Sequence, residues 1–202
     1  MNAGPSLLPL FLKLHHRKVV LVGGGTVAAS KIEALLGSGA EITVVAPAIH
    51  PRIRATAVTI VTRGFTPSDL DGAWLAVAAA TPAVNREVRT AGEARRIFVN
   101  AVDDPETASA FTGGVFRRGP VTIAVSTGGA APALAGLVRE GLEALVPEDI
   151  EDWVREARAL RRSQRAEGVP PAERRPLLLQ ALNELYARSA EEDAAPRPEV
   201  PH

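Results

Sequence analysis

Apolar residues in the first half of the chain come in two alternating forms, short continuous runs and runs at helical spacing. Lys18–Val22 is a strand-like run that meets Gly23-Gly24-Gly25, and a helical stretch follows over Thr26–Leu36. Gly37-Ser38-Gly39 stops that helix, and Glu41–Val45 starts a second strand. Val58–Thr62 and Trp74–Ala79 are a third and a fourth strand, the latter almost wholly apolar, as a strand buried on both faces should be. Thr81-Pro82 opens a helix to about Glu93, and Ile97–Asn100 is a fifth strand. Strands alternating with helices predict an α/β fold with a parallel, doubly wound sheet.

The pattern changes after Gly113-Gly114. Val115–Arg117 and Val121–Ser126 flank Arg118-Gly119-Pro120, the signature of a β-hairpin. Pro132 opens a helix to about Leu145, with Leu134, Leu137, Val138, Leu142 and Leu145 at helical spacing. Two more amphipathic helices are predicted, from Ile150 to about Arg165 and from Pro171 to about Ala190, before a proline-rich tail with the composition of disorder. The expected organisation is a nucleotide-binding domain over 1–112, a hairpin-plus-helix region over 113–147, a helical domain over 148–190 and a tail over 191–202. A hairpin with one helix buries its apolar face best against a copy of itself, so a homodimer built through 113–147 is expected.

Gly23, Gly25 and Ala28 fill the small-residue positions of G-x-G-x-x-G/A, between a strand and a helix N-terminus. The first helical N–H groups and the helix dipole favour an anion there, and the expected ligand is a dinucleotide pyrophosphate. Close helix–sheet packing is the other reason for such glycines. In a doubly wound sheet ligands lie at the carboxyl ends of the strands. Gly23–Gly25, Pro47-Ala48, Ala79–Thr81 and the loop from Ala101 should therefore share one crevice. The second strand ends in Ala46-Pro47-Ala48, without the acid that commonly binds the ribose of NAD, and His50, Arg52 and Arg54 follow. These three suit either a 2′-phosphate of NADP or a solvated basic surface.

Asp103 and Asp104 leave the fifth strand toward the same crevice. A carboxylate there suits a general base, or a cap on the segment that follows Pro105. Among 202 residues there are 23 basic and 23 acidic side chains and no cysteine. The balanced charge points away from nucleic acid and anionic membranes as partners. The missing thiols exclude disulfides and cysteine nucleophiles, and four histidines without paired spacing make no metal site expected. His15-His16 is read as surface, and Trp74 and Trp153 as core or interface aromatics. No apolar run is long enough to span a bilayer, and the N-terminus lacks a signal-peptide pattern, so a cytoplasmic location is expected.

Several segments together resemble one family. They are L-P-L-F-L-K-L, V-G-G-G-T-V-A, W-L-A-V-A-A, R-R-I-F-V-N-A-V-D and R-R-G-P-V-T-I-A-V-S-T-G-G-A-A-P-A-L-A-G-L-V-R-E-G-L-E. In order, these look like precorrin-2 dehydrogenase, the dehydrogenase/ferrochelatase portion of sirohaem synthase. No methyltransferase-like stretch follows, so the stand-alone form is expected. The resemblance implies a Rossmann domain, a dimerisation region and a small helical domain. It implies NAD-dependent oxidation of precorrin-2 to sirohydrochlorin, with Fe²⁺ insertion in some members. The family's essential aspartate falls on Asp103, its nucleotide contacts near Thr26, Val27, Pro47 and Ala48, and the hydroxyl of its glycine turn on Thr127. Gly24, Ala80 and Thr81 complete the expected cofactor contacts. A polycarboxylate substrate needs cations, and Lys31, Arg117, Arg118 and Arg139 are the candidates. The chain departs from the family pattern at Ala80-Thr81-Pro82, Phe111–Gly114 and Ala130-Ala131-Pro132. The rival reading is a non-catalytic module that senses NAD(H), which would leave Asp103 and the Thr127 turn without a role.

Overall fold

The computed structural model describes residues 6–102 and 108–194, with side chains up to Glu184. The described chain groups into two compact units. One holds the chain up to Gly114 together with Ser126–Ala135, and the other holds Val115–Val125 and the chain from Gly136.

The first unit is a five-stranded, wholly parallel sheet in the order β3-β2-β1-β4-β5. Its strands are β1 (Lys18–Val22), β2 (Glu41–Val45), β3 (Thr59–Val61), β4 (Leu75–Ala78) and β5 (Phe98–Ala101). Helices α1 (Thr26–Leu36) and α3 (Pro82–Arg95) are the main crossovers. The chain winds outward from β1 through β2 to β3, then returns to place β4 on the other side of β1. That reversal between β1 and β4 is where an open parallel sheet forms a ligand crevice.

The alternating direction of strand side chains explains the two apolar layers. Val19 and Leu21 of β1 point to one face, where they pack with Ala28, Ala29 and Ile32 of α1 and with Ile42 and Val44 of β2. Val20 and Val22 point to the other, against Val88 and Ala91 of α3 and Val99 of β5. The expected strands are all present, trimmed by a residue or so at their ends. Two short elements had no periodic signal. They are α2 (Pro51–Arg54), capped by the His50 imidazole, and a 3₁₀ turn over Pro67–Leu70. That turn is held by Asp69, whose carboxylate accepts two hydrogen bonds from Arg63 (2.8 and 2.5 Å) and one from the Thr66 backbone (2.8 Å). The Arg63 guanidinium foremost, with help from Thr66, holds the Asp69 carboxyl below its ordinary range.

The second unit contains a two-stranded antiparallel sheet, β6 (Gly114–Arg118) and β7 (Val121–Val125). Gly119 at the first turn position has φ +51°, and Pro120 fixes the second. Helix α4 (Pro132–Leu145) follows, then α5 (Ile150–Ala166) and α6 (Pro171–Ala194). The last runs past the expected end at Ala190, and residues 195–202 of the tail lie outside the described residues. Among the described residues no helix is long and apolar enough to cross a membrane.

Trp74 is not in the core. It is 54% exposed at the foot of β4, with the Arg17 guanidinium 4.1 Å from its ring centre. It stands one residue ahead of the buried run Leu75–Ala78 and belongs to neither apolar layer. Trp153, on α5, is half-buried and donates to Asp149 (3.2 Å). His15 and His16 are exposed, as read from the sequence.

Gly92 sets how closely α3 lies on β5. A Cβ there would stand 2.4 Å from Val99 Cγ2, inside a sealed layer. Overpacking from Gly92→Ala should cost about 1–3 kcal/mol. Set against the roughly 1 kcal/mol that alanine gains over glycine in a helix, the expected net loss is up to about 2 kcal/mol. Thermal melts check this, and an equal or higher melting temperature would show that the layer has slack.

Candidate functional site at the carboxyl edge of the sheet

Three loops meet where β1, β2 and β4 end. Gly23 N–H donates to Val45 C=O (3.0 Å), and Ala79 N–H donates to Val22 C=O (2.8 Å). His50 N–H donates to Gly24 C=O (2.7 Å), which ties the loop after β2 to the glycine turn. Buried Asn85 of α3 accepts from Ala80 N–H (3.0 Å), and its own N–H bonds Thr81 C=O (2.9 Å), which fixes the loop after β4. The structure thus brings together Gly23, Gly24, Gly25, Pro47, Ala48, Ala80 and Thr81.

The three glycines have different causes. Gly23 has φ +124°, and a Cβ on it would lie 2.2 Å from Ala79 C=O oxygen. A Cβ on Gly24 would lie 2.0 Å from Ala48 oxygen. Both are required by the fold, because backbone packs directly on backbone. Gly25 differs. It is exposed at the N-cap of α1 with φ −85°, and a Cβ on it would meet nothing within 4 Å. No side chain caps the helix there, and the first turn carries no acid. The N–H groups of the first turn are therefore open to an external anion. Thr26 and the 43% exposed Val27 flank this opening. Lys31 sits further along α1, half-buried.

Asp103 and Asp104 lie outside the described residues. On their near side Val102 N–H bonds Ala78 C=O (3.0 Å). On their far side Ser109 bonds Val99 twice, by its N–H to the carbonyl (2.9 Å) and by its hydroxyl to the Val99 N–H (2.8 Å). Buried Asn100 donates to Ala110 C=O (3.0 Å). Asn85 and Asn100 are positioning residues that sequence reasoning passed over. Their signal was a polar residue inside an otherwise apolar stretch, as in I-F-V-N.

The candidate cations divide between the units. Arg118 lies over the Phe116 ring (5.1 Å) and donates to Val146 C=O. Arg139 pairs with Glu140 (2.9 Å) and with Glu143. Both are engaged within the second unit, whereas Arg117 is exposed. Thr127, in the first unit, caps the approach to α4 by accepting from Ala131 N–H (3.1 Å), and its hydroxyl proton remains free to donate. Of the basic residues after β2, Arg52 is paired with Glu33 (2.8 Å), and His50 Nδ1 accepts from Arg52 N–H (3.1 Å). Among the described residues no three His, Cys, Asp or Glu side chains cluster as a metal site would require.

Known proteins resemble this chain in sequence and in fold. Residues 10–114 match the family described as "Putative NAD(P)-binding", and residues 118–145 match "Sirohaem biosynthesis protein central". Siroheme synthase 2 of Cronobacter sakazakii is 44% identical over 173 residues, 83% of this chain and 38% of that protein. Siroheme synthase of Citrobacter koseri is 43% identical over the same shares. The chain thus spans well under half the length of these curated relatives. A solved structure titled "SirC, precorrin-2 dehydrogenase" superposes with a TM-score of 0.68 at 27% identity, covering 86% of this chain and 88% of that one. Sequence and fold agree, and the chain belongs to the precorrin-2 dehydrogenase/sirohydrochlorin ferrochelatase family, the N-terminal portion of sirohaem synthase.

Proposed function

We propose that the protein is an oxidoreductase of sirohaem biosynthesis that oxidises precorrin-2 to sirohydrochlorin with NAD⁺. The observation that carries the cofactor half of this reading is Gly25, a glycine with no fold-based reason to be glycine at an uncapped helix N-terminus. A pyrophosphate would be held by the first-turn N–H groups around Thr26 and Val27. The adenosine side would run past Pro47 and Ala48, and the nicotinamide side past Ala80 and Thr81. When bound, the nicotinamide supplies a hydride acceptor. NAD is the cofactor proposed; Arg52 pairs with Glu33 and His50 caps α2, while Arg54 has no ion-pair partner among the described residues.

The protein's own part in the chemistry is to hold the ring and take a proton. Loss of hydride from one carbon of precorrin-2 leaves a cation that is neutralised when a proton departs. Asp103 is the proposed acceptor, in the sequence that follows β5. Lys31, Arg117 and Thr127 are proposed to meet substrate carboxylates, and Arg118 and Arg139 would do so from their existing contacts. The same carboxylate could receive pyrrole protons during Fe²⁺ insertion, the second activity proposed.

The dimer is proposed on α4. Leu134, Leu137, Val138 and Leu145 are 53%, 66%, 43% and 78% exposed, an apolar face that solvent should not retain. A second copy of the same helix is a self-complementary cover for it.

Three experiments test this reading. Gly25→Asp should melt at or above the wild-type temperature, since Asp caps well. It should also lose NAD⁺ affinity by at least about tenfold, near 1.4 kcal/mol. Unchanged affinity in a titration would remove the dinucleotide from this turn. Precorrin-2 with NAD⁺, followed by sirohydrochlorin absorbance with and without Fe²⁺, should show turnover, and Asp103→Ala should reduce it by roughly two orders of magnitude with NAD⁺ binding retained. NAD⁺ binding without turnover in the wild type would favour the sensor reading. Light scattering should give a dimer at micromolar concentration and a monomer for Leu137→Glu/Val138→Glu, and a wild-type monomer refutes the interface.

A further inference from the structure

The second unit carries a groove between α5 and α6, about 460 Å³ in volume. Four arginines line it, Arg158 and Arg161 from α5 and Arg174 and Arg175 from α6, and no carboxylate does. Its apolar surface comes from Val154, Leu160 and Leu178. Arg158, Arg161 and Arg175 have no ion-pair partner among the described residues, so no internal acid competes for them.

A buried polar group adds a second, independent observation. Gln164 also lines the groove, is only 5% exposed, and its side-chain nitrogen has no hydrogen-bond partner among the described residues. An orphan donor of this kind costs about 1–3 kcal/mol of desolvation, so a fold rarely retains one without a use. The residues around it are already held. Val169 N–H bonds Gln164 C=O (2.9 Å), and Arg174 Nε donates to Val169 C=O (2.9 Å). The connection between the two helices thereby fixes one guanidinium and the Gln164 backbone together. Its volume lies within the range of small-molecule sites.

We propose that the α5–α6 groove binds an amphipathic polycarboxylate of the tetrapyrrole class, at a site separate from the glycine turn. The apolar floor suits a flat hydrocarbon body. Guanidinium groups from both walls suit carboxylates around its rim, two on each helix. Gln164 lies sealed beneath the lining, and a ligand that shifts its amide would give the orphan donor a partner. The choice of a tetrapyrrole over other rim-carboxylated molecules rests on the proposed reaction, while the groove's chemistry stands without it.

The test uses the full chain carrying Trp74→Phe, in which Trp153 of α5 is the sole tryptophan. An octacarboxylate porphyrin is titrated against Trp153 fluorescence. Saturable quenching is expected, weakening with added salt. Arg158→Ala/Arg161→Ala/Arg175→Ala should raise the apparent Kd at least about tenfold. Gln164→Leu should also weaken binding while melting at or above the wild-type temperature, because an apolar group replaces the orphan amide. Wild-type affinity in both variants overturns the proposal. So does displacement of the porphyrin by a peptide of residues 190–202, which would assign the groove to the chain's own acidic end. Groove binding in a protein without precorrin-2 turnover would sink the dehydrogenase reading alone, and turnover without groove binding would sink this inference alone.

Discussion

Backbone packed directly on backbone at the carboxyl edge of the sheet is the constraint on which the rest depends. Gly23 sits against the carbonyl of Ala79, and Gly24 against that of Ala48, at distances no side chain could share. These approaches draw the loops after β1, β2 and β4 into one surface. The hydrogen bonds from Gly23, His50 and Ala79 then lock it. Only with those loops drawn in does the N-terminus of α1 open onto a shared crevice instead of a separate turn. The apolar layers on both faces of the sheet supply the stability that holds this backbone arrangement in place.

Polar groups at the edge have a division of labour that follows from burial. Asn85 and Asn100 are nearly sealed and spend their amides on loop backbone, which is how buried polar groups are stabilised. Gly25, Thr26 and Val27 are open, and their backbone donors are not consumed by a side-chain cap. A site of this kind is rigid underneath and unsatisfied on top, a combination suited to binding. The second unit shows the same contrast in another form, with Arg118 and Arg139 engaged locally and Arg158, Arg161 and Arg175 of the α5–α6 groove without an ion-pair partner among the described residues.

Much of the scaffold was legible from residue order. Strand alternation, the helix start at Pro82 and the Gly119-Pro120 hairpin all follow from local rules of side-chain direction and fixed φ. The short helix at Pro51–Arg54 and the turn at Pro67–Leu70 were not, because an element of one turn has no periodicity to detect. Of the two readings of Trp74, core or interface, the core one fails: its size argues for burial, but it stands just ahead of the buried β4 run and is exposed. Gly92 attracted no notice, since a glycine within a helical run signals close packing only once the facing strand is known.

What the chain determines by itself is a set of local facts: where strands and helices form, where φ must be positive, and which stretches carry charge. Such facts depend on neighbours within a few residues. The tertiary structure alone decided that Gly23 and Gly24 serve the fold while Gly25 is free for a ligand, since each answer depends on an atom contributed from a distant loop. It likewise decided that the Gln164 side-chain nitrogen is sealed without a partner among the described residues, because burial is a property of what surrounds a residue and not of its place in the sequence.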